Sequence, residues 1–125
     1  MRISINPTPA PTGIPGIDHV TLAGSDEGLT GLSVWQQSVA AGQATPPHRH
    51  DCEEVVLCSG GSGELHMQGR VERFGPDMTL VIPANADHQI VSIGPEPLTL
   101  VAAFSSSPVR VYLTDGEEMA LPWRS

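Results

Sequence analysis

The sequence predicts an all-β fold, built as a sandwich or barrel of short strands. Thirteen glycines and twelve prolines are spread through the 125 residues and divide the chain into short segments. Several segments, such as Glu54-Val-Val-Leu-Cys58, are rich in β-branched residues, which favour strands. No long helical period separates the turns. Short strands that recur about every eight to twelve residues are typical of sandwiches and barrels.

Nine strands are expected, each bounded by glycine, proline or polar turn residues. They cover residues 17–23, 32–40, 53–58, 64–68, 71–74, 78–82, 88–93, 98–105 and 109–113. The run Ser59-Gly-Gly-Ser-Gly63 predicts a hairpin between the third and fourth strands, and Gly69-Arg70 predicts a second turn after the fourth. Pro83 ends the sixth strand because proline cannot donate to a strand ladder.

One domain is expected, because 125 residues match the commonest domain size and can bury one core. Residues 1–16 are predicted to form an extended N-terminal arm, in which Pro7, Pro9, Pro11 and Pro15 block a helix. Residues 17–125 are predicted to form the domain itself. Its C-terminal tail, from Asp115 onward, is expected to cap an edge or an end of the barrel.

Composition argues against two classes of partner. The net charge is −8 with only six basic residues, whereas nucleic-acid phosphates require a basic face. No apolar run is long enough for a membrane span, and the first residues do not resemble a signal peptide.

Cys52 and Cys58 would lie roughly 20 Å apart on one extended segment, too far for a disulfide. A cytoplasmic protein with reduced thiols is therefore expected.

The most informative pattern joins three histidines and one carboxylate. His48, His50 and Glu54 share one face of an extended segment by parity, and His88 begins a later strand. Three imidazoles and a carboxylate can bind one side of a divalent transition-metal ion and leave positions open for a ligand. The sequence therefore predicts a metal site at these residues. The alternative is a cluster of solvated loop histidines.

These residues lie in two motifs that resemble those of the cupin superfamily. The run Gly42-x5-His48-x-His50-x3-Glu54-x6-Gly61 meets every fixed position of the first cupin motif. The second motif keeps Pro83 and His88 but departs elsewhere; Asp77 and Asn85 replace its glycines, and Ser92 replaces its asparagine.

The resemblance implies a small cupin-type double-stranded β-helix, or jelly-roll barrel, with the metal inside and generally a dimeric assembly. The family ligand set accepts iron, manganese, nickel, copper, cobalt or zinc, so the identity of the ion stays open.

Further residues are candidates for the lining of the pocket. Trp35 and Gln37 share the strand face that looks into the barrel in typical cupins, and a buried glutamine needs a hydrogen-bond partner. The same parity argument applies to Cys58, which shares a face with Glu54, and to Ile90 and Ser92, which share a face with His88, whereas the parity of Phe104 is left open. The candidate lining residues are Trp35, Gln37, Val56, Cys58, Ile90, Ser92 and Phe104. His19 and His66 are expected to have structural or surface roles rather than to bind metal.

Two classes of function fit this site. The first is a metalloenzyme acting on a small molecule, of the dioxygenase, isomerase or lyase type, with Glu54 as a ligand that also serves as a catalytic base. The dioxygenase reaction is favoured within this class. The second is a binding or sensing module with a structural metal. The sequence shows no residue pattern typical of a general acid, a nucleophile or an oxyanion hole. The enzyme hypothesis is therefore only modestly favoured over the binding module.

A homodimer is expected from the N-terminal arm. A barrel of this size leaves sheet edges with unpaired backbone groups that another chain can cover. The arm carries Ile3, Ile5 and Ile14, which need a surface to rest on. The predicted interface includes the first seventeen residues and one sheet of the barrel, around a two-fold axis. The alternative is a disordered arm.

Overall fold

Eleven β-strands form two antiparallel sheets in a computed structural model that describes residues 1–125. The strands are β1 (Ala10–Pro11), β2 (Ile17–Ala23), β3 (Ser33–Val39), β4 (His48–Arg49), β5 (Glu54–Gly60), β6 (Gly63–Met67), β7 (Arg70–Phe74), β8 (Thr79–Ile82), β9 (His88–Ser92), β10 (Leu98–Phe104) and β11 (Tyr112–Leu113). A single 3-10 turn spans Ser25–Glu27. No helix of the structure is long and apolar enough to cross a membrane.

The strand order is that of a jelly roll. One sheet has six strands in the order β1-β2-β3-β10-β5-β8, and the other has five in the order β11-β4-β9-β6-β7. Strands that follow one another in sequence often lie in different sheets, so the chain crosses repeatedly between the two layers. The predicted all-β, jelly-roll fold class is confirmed.

The predicted hairpin at residues 59–63 is wrong. β5 pairs with β10 and β8, whereas β6 pairs with β7 and β9 in the opposite sheet. The glycine-rich run is a crossing between sheets, and a Cβ at Gly61 would meet the backbone of Leu98 at 2.8 Å. The turn at residues 68–69 does form the β6–β7 hairpin, with positive φ at Gln68 and Gly69. The expected strand over residues 109–113 is reduced to β11.

The core lies between the two sheets and follows strand alternation. β10 alternates buried and partly exposed residues along its whole length, as a strand with one face on the core must. Phe104, Ile82 and Leu98 are among the largest side chains that are fully buried. Both cysteines are buried and free, and they form no disulfide with each other.

The two ends of the chain pack on the barrel to different extents. β1 pairs with β2, which extends the six-stranded sheet, and Ile14 packs against the core. The arm therefore joins the sheet from Ala10 onward, whereas Ile3 and Ile5 are 87% and 95% exposed. In the tail, apolar side chains cover one opening of the barrel; they are Met119, Leu121 and Trp123.

Gly63→Ala should destabilise the fold by about 1–3 kcal/mol, because it overpacks the core where β6 begins. An added Cβ would overlap the Phe74 ring and lie 3.0 Å from Leu98 Cδ2. Gly31→Ala is the matched control, since nothing lies within 4 Å of its Cβ. Urea unfolding measures both, and equal unfolding midpoints for the two variants would contradict this packing.

Candidate metal centre

The fold brings the four predicted metal ligands to one point inside the barrel. His48 in β4 pairs directly with His88 in β9. His50 follows β4, and Glu54 is the first residue of β5 in the other sheet. The site thus bridges the two sheets, and all four side chains are buried.

The ligand atoms lie at distances that a shared ion can bridge. The candidate ligand atoms of His48, His50 and His88 all lie within 4.8 Å of one another. Oε1 of Glu54 is 3.5 Å from His50 Nε2 and 3.3 Å from His88 Nε2. Ligands about 2.0–2.2 Å from one ion are separated by roughly 3 Å or more, so this spacing suits a common centre.

Backbone carbonyls orient each imidazole. Nδ1–H of His48 donates to Pro46 O at 2.7 Å, that of His50 to Arg110 O at 2.8 Å and that of His88 to Ala86 O at 2.9 Å. Because a carbonyl only accepts, Nδ1 carries the proton and Nε2 keeps its lone pair. All three lone pairs are thereby available to the centre, as in protein sites where backbone groups fix metal-binding histidines.

Burial and charge set the protonation of these groups. Burial lowers the pKa of His48 to about 4, with the neighbouring His88 and His50 adding to the effect. Burial also lowers the pKa of His50. Burial alone would raise the pKa of Glu54, but the nearby His88 and His50 outweigh it and lower that pKa. Burial would also lower the pKa of His88, but the hydrogen bond and the charge of Glu54 outweigh it and raise that pKa. A carboxylate and neutral imidazoles are the forms that bind a divalent cation, so an ion would displace the proton of a charged His88.

The donor set fits a divalent transition-metal ion. Oε1 of Glu54 and Nε2 of His88 are buried without a hydrogen-bond partner. Unpaired buried polar atoms are costly, and a cation between them would satisfy both. Nitrogen and oxygen donors without thiolate suit several first-row metals, so the centre does not select one of them.

Two small cavities adjoin the centre and share five residues: Trp35, Gln37, Thr45, His48 and His50. The inner cavity is about 40 Å³ in volume. Besides the five shared residues, it is lined by the other two candidate ligands, Glu54 and His88, and by Val56, Ile90, Leu100, Ala102 and Phe104. The outer cavity is about 50 Å³ and is completed by Ile14, Ile17, Pro46, Val111, Met119, Leu121 and Trp123.

Five of the seven predicted lining residues border these cavities, namely Trp35, Gln37, Val56, Ile90 and Phe104. Cys58 and Ser92 do not line either cavity. Each is buried on the correct strand face, but it lies two residues beyond Val56 or Ile90, roughly 7 Å further along the barrel. Burial raises the pKa of the Cys58 thiol.

Several lining residues were not expected from the sequence. Thr45 lies within the first motif, at a variable position between Gly42 and His48, and Leu100 and Ala102 share the inward face of β10 with Phe104. Parity along residues 98–105 could have indicated the last two. No sequence pattern around Trp123 predicts that its ring lines the outer cavity, because this position depends on where the tail crosses the barrel.

A directional chain of hydrogen bonds links the pocket to this tail. Thr21 Oγ1–H donates to Arg124 O at 2.6 Å, so its oxygen accepts Nε2–H of His19 at 2.8 Å. His19 Nδ1 then accepts from Nε2–H of Gln37 at 2.9 Å. Because the Arg124 carbonyl can only accept, the polarity of the chain is fixed. Gln37 therefore uses one amide hydrogen on His19 and retains a second N–H.

His19 has the structural role that was expected. Its ring stacks on Trp123 with centroids 4.0 Å apart and meets the edge of Trp35 at 5.0 Å. Burial lowers its pKa to about 4, so it is neutral near pH 7. His66 lies on the outside of the barrel, 3.1 Å from Glu64.

Residues 2–123 match the family model described as "Auxin binding protein". The chain belongs to the auxin-binding protein family. Auxin-binding protein 1 of Arabidopsis thaliana is 35% identical over 111 residues, which are 81% of this chain and 56% of that protein. Auxin-binding protein T85 of Nicotiana tabacum is 35% identical over 119 residues, which are 86% and 64% of the two chains. This chain thus spans less than two thirds of the curated relatives that it matches.

Solved structures confirm the predicted resemblance to cupins. A Cupin 2 conserved barrel domain protein from Salinispora arenicola is 20% identical, with a TM-score of 0.71 over 83% of this chain and 89% of that chain. A polyketide cyclase from Streptomyces resistomycificus is 25% identical, with a TM-score of 0.68 over 84% and 78%. The chain therefore has the fold of a small cupin domain.

Proposed function

We propose that this protein binds a small organic acid through a divalent metal ion held by His48, His50, Glu54 and His88. The observation that carries this proposal is the lining of the two cavities. Beyond the four candidate metal ligands it contains no titratable side chain, and it is otherwise aliphatic or aromatic apart from Gln37 and Thr45. Such a lining can hold and orient a molecule but has no separate group to transfer protons.

The polar groups favour an anionic head. A divalent ion, when bound, supplies positive charge to which a carboxylate oxygen can coordinate. Gln37 lines both cavities and has an amide N–H beyond the one donated to His19. A hydrogen bond from this group to a carboxylate is of the stronger, charge-assisted kind. Trp35 and Trp123 in the outer cavity offer aromatic surface to an apolar body.

Ligand entry requires the tail to move. The cavities, about 40 and 50 Å³, are far below the roughly 300 Å³ typical of small-molecule pockets. The part of the cavity wall that can move away is the tail, because its lining residues belong to no strand. These residues are Met119, Leu121 and Trp123. The curated relatives are named as auxin-binding proteins, and we propose that the ligand of this chain is likewise an auxin-like small molecule.

Gln37→Leu should weaken carboxylate binding about 10- to 100-fold, because a hydrogen bond to a charged group contributes roughly 1.5–3 kcal/mol. Isothermal titration calorimetry of the Zn²⁺-loaded protein with benzoate, phenylacetate and their primary amides measures this. Gln36→Leu is the matched control, since the neighbouring residue of the same strand does not line either cavity. Equal affinity for acids and amides, or binding that survives chelation, would overturn the proposal.

A metalloenzyme, with a dioxygenase reaction as the first choice, is the second candidate. The three imidazole lone pairs and Glu54 approach the centre from the two sheets, and the inner cavity lies against them. A coordination position facing that cavity would admit a substrate, with Glu54 as a base. Oxygen-uptake measurements on the metal-loaded protein with small phenols, diketones and hydroxy acids distinguish this candidate. Consumption of dioxygen would replace the binding proposal with a catalytic one.

The cellular location and the division of the chain into an arm and a domain remain predictions. The buried free thiols are compatible with the cytoplasmic location expected from the sequence. The division into an arm of residues 1–16 and one domain of residues 17–125 is likewise kept as a proposal, although part of the arm pairs with β2.

A further inference from the structure

A cavity of about 620 Å³ lies along the C-terminal tail, apart from the metal centre. Its lining consists of residues 108–110, residues 118–121 and 123–125 of the tail, and Ser25. This volume falls within the roughly 300–1,000 Å³ typical of small-molecule sites. The two cavities at the metal centre hold only about 40 and 50 Å³. None of the four candidate metal ligands lines the larger cavity, which we call the tail cleft.

The charged residues of the tail cleft are mainly basic. Arg110 and Arg124 line it together with Glu118, so two positive charges and one negative charge give a net charge of +1. The whole chain has a net charge of −8 and only six basic residues. Two of those six are therefore placed at one cavity. Guanidinium groups bind anions such as carboxylates and phosphates through paired N–H donors, so the tail cleft favours an anionic ligand.

Neither guanidinium group is held firmly by its present neighbours. Arg124 pairs with Asp26 at 2.9 Å, but the two side chains are 80% and 58% exposed. Arg110 is exposed as well, beside Tyr112 and Glu118. Ion pairs in such exposed positions contribute about 1 kcal/mol or less, because water screens them. Both arginines can therefore turn toward a ligand in the cleft at little cost.

Apolar side chains provide the rest of the binding surface. Val109 is buried in the core, and Leu121 and Trp123 are partly buried against it. The remaining apolar lining residues are Pro108, Met119 and Ala120. Pockets that combine apolar walls with a few polar groups hold organic molecules and orient them. The tail cleft therefore fits an organic anion with an apolar body better than it fits an inorganic ion.

The tail is anchored on both sides of a segment that has no main-chain support. Met119 N–H donates to Val111 O at 2.8 Å, and Arg124 O accepts from Thr21 Oγ1–H at 2.6 Å. No main-chain hydrogen bond joins residues 120–123 to the barrel. This segment is therefore held by side-chain packing, and a molecule that adds packing contacts to it would hold it more firmly.

The tail cleft is connected to the metal centre in two ways. The side chains of Met119, Leu121 and Trp123 line both the cleft and the outer cavity. Arg110, whose side chain lines the cleft, uses its carbonyl to accept Nδ1–H of the candidate metal ligand His50 at 2.8 Å. A ligand in the cleft would thus contact the segment that has to move before another molecule can reach the metal.

We propose that the tail cleft is a second ligand site, which binds an organic anion with an apolar body and holds the tail closed over the outer cavity. Arg110 and Arg124 donate to the anionic head, and the body rests on Val109, Leu121 and Trp123. A ligand that binds the closed tail better than the open tail shifts the population toward the closed form. Occupancy of the cleft therefore regulates access to the metal centre. This regulation rests on the entry route proposed above, whereas binding in the cleft needs no metal.

Isothermal titration calorimetry with naphthalene-1-sulfonate and the uncharged naphthalene-1-sulfonamide tests the site. The sulfonate should bind at least about tenfold more tightly than the sulfonamide, with the same affinity before and after chelation. Arg110→Leu and Arg124→Leu should each weaken sulfonate binding about tenfold or more, because each removes a charge-assisted hydrogen bond. Arg70→Leu is the matched control, since this 74% exposed arginine of β7 does not line the cleft.

Three calorimetric results would overturn the second site. They are equal affinity for sulfonate and sulfonamide, parental affinity in both cleft variants, and loss of sulfonate binding on chelation. The last would place the sulfonate at the metal centre and leave the metal-dependent proposal standing. All three arginines are exposed, so the thermal unfolding midpoints of the variants should match that of the parent and show that the fold is retained.

Hydrogen exchange followed by mass spectrometry tests the closure of the tail. A saturating concentration of the sulfonate should slow amide exchange across residues 113–125 of the parent several-fold. The same concentration should have a smaller effect on Arg110→Leu, because less of that variant is occupied. Sulfonate binding with unchanged exchange in residues 113–125 would overturn the regulatory part of the proposal.

Discussion

His50→Ala should abolish stoichiometric metal binding and lower the melting temperature of the metal-loaded protein by on the order of 10 °C. His50 lies within bonding reach of the centre, with Nε2 3.5 Å from Glu54 Oε1. A ligand that binds only the folded state at about 1,000 times its dissociation constant stabilises it by about 4 kcal/mol. For a domain of this size, each kilocalorie shifts the melting temperature by roughly 3–5 °C.

Metal analysis after dialysis and thermal unfolding with and without chelator measure the two effects. His66→Ala is the matched control, because His66 lies outside the barrel beside Glu64. The parent and the control should lose stability on chelation, whereas His50→Ala should not respond. A parent whose melting temperature is the same with and without chelator would contradict a bound ion at this centre.

The strands and the metal centre could be predicted because both depend on local alternation. His48, His50 and Glu54 fall on one face whenever residues 48–54 are extended, and His88 opens the strand that pairs with β4. The histidine orientation is also locally determined in part: Pro46 and Ala86, two residues before His48 and His88, supply carbonyls to their Nδ1 atoms. Turn residues bound most strands, which is why the predicted and observed limits agree at β2 and differ by at most one position at either end of β3, β9 and β10.

The remaining features depend on contacts between distant segments. Gly60 and Gly61 permit a tight turn, but only the pairing of β5 with β10 decides that the chain crosses to the other sheet there. Parity placed Cys58 and Ser92 on the inward face yet could not give their depth along the barrel. The wall provided by Trp123 follows from stacking on His19, more than one hundred residues earlier. No local pattern encodes such a contact.

Acidification from pH 7 to pH 5 should destabilise the protein by roughly 2 kcal/mol through His19 alone. Burial lowers the pKa of His19 to about 4 in the folded protein, against about 6.5 when unfolded. The unfolded chain therefore binds the proton first, and stability present above pH 6.5 is lost as the pH falls toward 4. Protonation would also turn Nδ1 into a donor facing the amide N–H of Gln37, which it now accepts at 2.9 Å.

Urea unfolding of the parent and of His19→Gln at pH 7 and pH 5, both with chelator, isolates this contribution. Chelation removes metal release from the comparison, and the protonation of His48, His50 and His88 is then common to both proteins. His66→Gln controls for an ordinary surface histidine and should behave as the parent does. The parent should lose about 2 kcal/mol more than His19→Gln between the two pH values. Equal losses would show that the ring of His19 exchanges protons as freely when folded as when unfolded, against its burial between Trp35 and Trp123.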